Sequence, residues 1–109
     1  AKHKKIWVVA EVLESVSSTG LYYQDTNDSY YFVTVGTERL DALIYELYIK
    51  MQEAGNEPFT TVEFSLDATG HFEIKYSYDP EMDFSMQYDR MLGWEHVHFG
   101  PNAQIKYVD

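Results

Sequence analysis

The side chains best suited to acid–base or metal chemistry in this sequence are its four histidines and a run of carboxylates. His96 and His98 flank Val97, with Glu95 beside them. On a strand the two rings would share a side, but on a helix they point roughly 200° apart. A metal site needs three or four converging ligands. A metal-binding, ligand-binding or hydrolytic domain built on His96, His98 and Glu95 is therefore one alternative, set against a surface or interface role for the same residues. His71 falls at a hairpin turn on the wet face and reads as solvated. The chain has no cysteine, so neither a thiolate site nor a disulfide can form. It also lacks a Gly-rich phosphate loop, a Gly-x-Ser-x-Gly elbow and a His-Glu-x-x-His helix, the arrangements that would announce phosphate, acyl or zinc chemistry. No catalytic residue, metal ligand or cofactor is assigned, and the expectation is a non-enzyme.

The carboxylates are more informative. Asp79, Glu81, Asp83 and Asp89 lie in one stretch without an intervening base. Asp79 before Pro80, and Asp83 before an apolar repeat, are ordinary N-cap residues. Capping occupies one side-chain oxygen and leaves the charge, so the same cluster can face a basic partner. The whole chain carries 18 acids against 8 bases, a formal charge of −10, and Lys2, Lys4 and Lys5 at the start leave the remainder more acidic still. Such a field repels nucleic acid and favours a basic protein, although acidity also serves plain solubility. With 10 Tyr, 6 Phe and 2 Trp there is ample aromatic material for core and interface. Asp79, Glu81, Asp83 and Asp89, with exposed tyrosines such as Tyr22 and Tyr30, are the expected partner-binding residues.

The element that positions this stretch is the hairpin just before it. Val62, Phe64 and Leu66 alternate with Thr61, Glu63, Ser65 and Asp67, and after Ala68-Thr69-Gly70 the alternation resumes with Phe72, Ile74, Tyr76 and Tyr78. That is the period of strands with one buried face. Keeping the apolar faces together sets Leu66 opposite Phe72, Phe64 opposite Ile74, Val62 opposite Tyr76 and Glu63 opposite Lys75, with Gly70 left-handed in the loop. The rest of the chain must cover the dry side of this sheet edge.

Earlier strands are expected over residues 5–13, 21–24 and 30–35, joined by turns at Ser17-Ser18-Thr19-Gly20 and Asp25-Thr26-Asn27-Asp28-Ser29. The first and third are apolar on both faces. Thr37 is placed as N-cap of a helix carrying Leu40, Leu43, Ile44, Leu47, Tyr48 and Met51 in one stripe, ended by Gly55. A second helix from about Phe84 to His98 follows from Phe84, Tyr88, Met91 and Leu92, with Trp94 as its anchor, and residues 103–107 form a tail that adds a strand or packs as coil. The order β-β-β-α-β-β-α gives a single domain over residues 1–109, α+β in class: a five-stranded antiparallel sheet with one main helix on a face and a C-terminal helix. The doubly apolar strands require cover on the second face, which the segment after Asp83, or else a partner, supplies. No run is long and apolar enough for a membrane span or a signal-peptide core, so a cytoplasmic location is expected.

These residues resemble a family. Trp7 with Ala10-Glu11-Val12, the helix from Leu40 to Met51, Glu57-Pro58-Phe59-Thr60, then Phe64-x-Leu66-Asp67-x-x-Gly70-x-Phe72, Tyr76-x-Tyr78-Asp79 and a downstream Trp94 are similar to the YezG-like immunity proteins. The resemblance implies a small acidic bacterial protein that neutralises a secreted polymorphic toxin, commonly a nuclease, inside the cell that makes it. Members usually begin with a helix before the first strand, whereas this chain starts almost at the strand. A nuclease is basic where it holds phosphate, so an acidic inhibitor gains affinity and on-rate. The expected partner is a basic cognate toxin in a 1:1 complex with a monomer, with no nucleic acid and no membrane. The alternative is a module whose Tyr-rich sheet pairs with itself.

Overall fold

The computed structural model describes residues 3–13 and 16–109. Strands β1 (His3–Leu13), β2 (Val16–Asp25) and β3 (Tyr30–Val33) precede helix α1 (Glu38–Glu53). Strands β4 (Thr61–Asp67) and β5 (Phe72–Ser77), helix α2 (Gln87–Phe99) and strand β6 (Ile105–Val108) follow. They form one mixed six-stranded sheet in the order β5-β4-β1-β2-β3-β6.

The hairpin register is the expected one, with Val62 opposite Tyr76, Glu63 opposite Lys75, Phe64 opposite Ile74 and Leu66 opposite Phe72. The Asp67 carboxylate fixes its turn by accepting from the Thr69 and His71 amides at 2.9 and 3.0 Å, and Gly70 takes the left-handed φ of 89° that the three-residue loop requires. The α1 stripe forms around Ile44 and Tyr48, buried against Ala10, Val12, Phe59 and Val62, while Leu43, expected in the same stripe, is left 48% exposed. On the opposite face α2 supplies the cover that the doubly apolar strands demanded. Trp94 and Phe99 pack on Trp7 and Tyr22, with ring centroids 4.9–6.4 Å apart. The sheet is thus sandwiched between one helix on each side.

Several expectations are corrected. The sheet has six strands, not five, and is not purely antiparallel. β6 runs parallel to β3, pairing Tyr30 with Ile105 through Val33 with Val108, because α2 acts as the crossover that a parallel pair needs. Residues Ser17–Gly20 are not a turn but paired strand, Ser17 opposite Val12 and Gly20 opposite Val9. The Ser17 and Thr19 hydroxyls donate to Asp41 of α1 at 2.8 and 2.6 Å, and a Cβ on Gly20 would meet the Phe32 ring at 3.2 Å. β3 stops at Val33; Thr34 turns its amide to the Val108 carbonyl at 2.8 Å. Thr37 stands at the N-cap of α1 without a side-chain capping bond. The second helix begins as a single 3-10 turn over Phe84–Met86, becoming α-helical at Gln87. The apolar face of β5 stays half open, with Phe72, Ile74 and Tyr76 all exposed although Tyr76 packs against Phe59 at a ring-centroid distance of 5.4 Å. Among the described residues no helix is long and apolar enough to cross a membrane.

Candidate partner-binding surface

The acidic stretch runs from the end of β5 into the first turn of α2, and local hydrogen bonds hold its backbone. The Asp79 amide donates to Thr60 Oγ1 at 2.8 Å while its carboxylate accepts from the Glu81 amide at 2.9 Å. Asp83 caps the following 3-10 turn by accepting from the Ser85 amide at 2.9 Å, which, with the Ser85 hydroxyl and nearby Arg90, holds its carboxyl below the usual aspartate range. Asp83 is therefore a cap, as its position indicated, whereas Asp79 closes a turn. Neither role consumes the charge.

Arg90 is the base closest to this stretch in sequence, and the carboxylate it pairs with is Glu11 of β1. Its Nε and Nη2 donate to the two oxygens of Glu11 at 2.6 and 2.7 Å, and its Nη1 to the Asp83 carbonyl at 2.9 Å. Glu11 thus neutralises Arg90, and the bidentate bond pulls the guanidinium still further toward its charged form. Among the described residues no ion pair reaches Asp79, Glu81, Asp83 or Asp89. All four residues are exposed.

The tyrosines divide differently from expectation. Tyr22 is not an exposed contact: it is 1% exposed, because its position opposite Trp7 turns it into the layer beneath α2. Its hydroxyl donates to Glu95 at 2.6 Å, and burial followed by that bond raises its pKa well above the usual tyrosine value. Tyr30 is half-buried, stacked on Phe99 at 4.2 Å. The exposed aromatic within the acidic stretch is Tyr88, 61% accessible at the start of α2.

Residues to which the sequence reading gave other roles form, with Arg90, a polar layer beneath α2. Glu11 holds Arg90, Glu95 holds Tyr22, and Glu63 accepts from Trp94 Nε1 at 2.7 Å, so the expected Glu63–Lys75 neighbours share a register position while the Glu63 carboxylate is spent on the helix. The signal for Glu11 was available: an acid between Ala10 and Val12 in a strand covered on both sides must bring its own partner. A cavity of about 360 Å³ opens beside this layer, lined by Val9, Glu11, Tyr22, Arg90, Met91 and Trp94 among others. Among the described residues, no buried side-chain polar atom is left without a hydrogen bond. His98 stacks on Trp94 at 4.1 Å and its Nδ1 meets the Trp94 carbonyl at 2.9 Å; His96 stands exposed in the same helical turn. Among the described residues, no three histidine or carboxylate side chains converge as a metal-binding group.

No curated protein matches the chain. The family model described as "Immunity protein YezG-like" matches residues 31–107, from β3 through the acidic stretch, α2 and β6. The chain belongs to the YezG-like immunity protein family.

Proposed function

We propose that the protein neutralises a cognate secreted toxin by stoichiometric, non-catalytic binding in the cytoplasm of the producing cell. The 79–89 segment docks on a basic toxin surface, such as the phosphate-holding face of a nuclease. One observation carries this reading: the Glu81 and Asp89 carboxylates stand exposed with neither hydrogen bond nor ion pair among the described residues, next to Asp79 and Asp83, whose carboxylates bond the Glu81 and Ser85 amides. Charges held without local partners keep their full potential for an incoming cation, and a fixed backbone loses little entropy on docking. Tyr88 gives the segment a large, stiff aromatic contact, of the kind enriched in interface cores. Family membership supports the immunity role, and the negative field supports a basic counterpart.

The test is association kinetics with a cognate toxic domain, to be sought first in the gene neighbouring this one. Glu81→Lys/Asp89→Lys removes no structural bond, so its circular dichroism should match the wild type. Its on-rate should fall about tenfold or more at low salt, as expected for loss of electrostatic steering. An on-rate that ignores both salt and the double reversal sinks the electrostatic reading.

A further inference from the structure

Strand β5 lies at the margin of the sheet with one apolar face, one charged face and, among the described residues, a backbone edge that no strand pairs. Phe72, Ile74 and Tyr76 point to the α1 side, opposite Leu66, Phe64 and Val62, yet remain 52, 42 and 49% exposed. Glu73 and Lys75 occupy the other face. The Asp67 amide donates to the His71 carbonyl at 3.0 Å, so residues 71, 73 and 75 turn their backbone groups toward β4. By the alternation of an antiparallel ladder, residues 72, 74 and 76 then turn theirs outward. An open edge of this kind recruits another strand unless it is blocked. β5 contains no proline.

The sequence of β5 mirrors itself about Ile74: Glu73 and Lys75 are placed symmetrically, as are Phe72 and Tyr76. Lay a second copy antiparallel along the edge with Ile74 on the two-fold axis. Every outward N–H and C=O at residues 72, 74 and 76 then finds a mate, and Ile74 exchanges both bonds with the partner's Ile74. Glu73 falls opposite the partner's Lys75, and Lys75 opposite the partner's Glu73. Both are non-hydrogen-bonded positions, where side chains approach most closely. On the apolar face Phe72 meets the partner's Tyr76, continuing the open stripe across both copies. A one-residue shift would place side chains of the charged face opposite those of the apolar face.

We propose that β5 is a homodimerisation edge, occupied by β5 of a second copy in this register. The two acidic segments, each starting just beyond the end of β5, then lie at opposite ends of the joined strands. The inference is therefore independent of toxin docking, and at physiological salt a Debye length of about 8 Å confines the general repulsion between two acidic chains.

The test uses the full chain in sedimentation and light scattering, with circular dichroism to verify folding. The wild type should pass from 12.8 kDa to twice that mass as concentration rises. Glu73→Lys alone and Lys75→Glu alone each set like charges opposite across the axis, and should raise the dissociation constant about tenfold. Mixing the two single variants should restore pairing, because each chain then supplies what the other lacks. Ile74→Pro, which removes an outward N–H and leaves the bonds to β4, should abolish it. A wild type that stays monomeric, dimers indifferent to these substitutions, or folded single variants that fail to pair when mixed would each overturn the proposal. So would a complex in which a toxin strand takes the edge while the free chain is monomeric.

Discussion

Glu11, Glu63 and Glu95 decide how α2 sits on the sheet, because each accepts from one donor on the facing element: Arg90, Trp94 and Tyr22. Removing a donor strands a carboxylate in a layer that water reaches poorly. Arg90→Ala should cost about 2–3 kcal/mol, less than the full cost of breaking a wholly buried pair because the Arg90 side chain is 33% exposed. Glu11→Leu/Arg90→Met should recover most of it in urea titrations, since apolar groups of similar size leave nothing unpaired. Tyr22→Phe should cost about 1–3 kcal/mol at neutral pH, the desolvation cost of an unmet acceptor. Its pH dependence has a definite sign. Burial and Glu95 raise the Tyr22 pKa, so the native state keeps the proton when the unfolded chain releases it near the ordinary value of 10.0. Tyr22's contribution is thus complete below that value and lost as pH rises beyond it, by about 1.4 kcal/mol per unit. The stability gap between wild type and Tyr22→Phe should narrow along an alkaline series of unfolding curves. A gap that widens would mean that the phenol is ionised in the native state.

At the scale of elements, two glycines that look alike in sequence should respond in opposite directions to alanine. Gly93 lies inside α2 with nothing within 4 Å of a built Cβ, so Gly93→Ala should stabilise by about 0.5–1 kcal/mol through helix propensity. Gly70 has as much space but a φ of 89°, so Gly70→Ala should destabilise by about 1–2 kcal/mol from backbone strain alone. Thermal melts of the two variants check both signs. The hairpin, α1 and the capping role of Asp83 were legible because each is written in local alternation, helical spacing or turn chemistry. The sixth strand was legible only as one of two options for the tail: residues 105–108 are too short to declare a partner, and their parallel pairing with β3 depends on where α2 delivers them. Tyr22 was misjudged for a related reason. In Leu21-Tyr22-Tyr23 neither face is polar, so nothing local tells which ring lies beneath a helix. The acidic segment was legible as a charge run, but the diversion of Arg90 to a residue in β1 depends on the tertiary fold.

The charge of the whole molecule and the charge of the segment act over different distances, which makes them separable by salt. With principal extents of 43 × 29 × 23 Å, the molecule is comparable to a Debye length of about 30 Å at 0.01 M ionic strength and much larger than the 8 Å at 0.15 M. At low salt all of the −10 charge therefore repels itself, weakening the fold and steering basic proteins from far away. At physiological salt the self-repulsion is mostly screened, and only charges within the docking face still steer. Two consequences with opposite signs follow. Raising ionic strength from 0.01 to 0.15 M should raise the melting temperature of the free protein, as screening relieves the crowded carboxylates. Over the same interval association with a basic toxin domain should slow by about tenfold or more. Glu81→Lys/Asp89→Lys should flatten the second curve while leaving the direction of the first unchanged, since most of the acids remain. Parallel melting and stopped-flow series in the same buffers decide the matter. If both quantities rose with salt, the partner's contact surface would have to be apolar or itself acidic, and the acidity of this chain would serve its solubility alone.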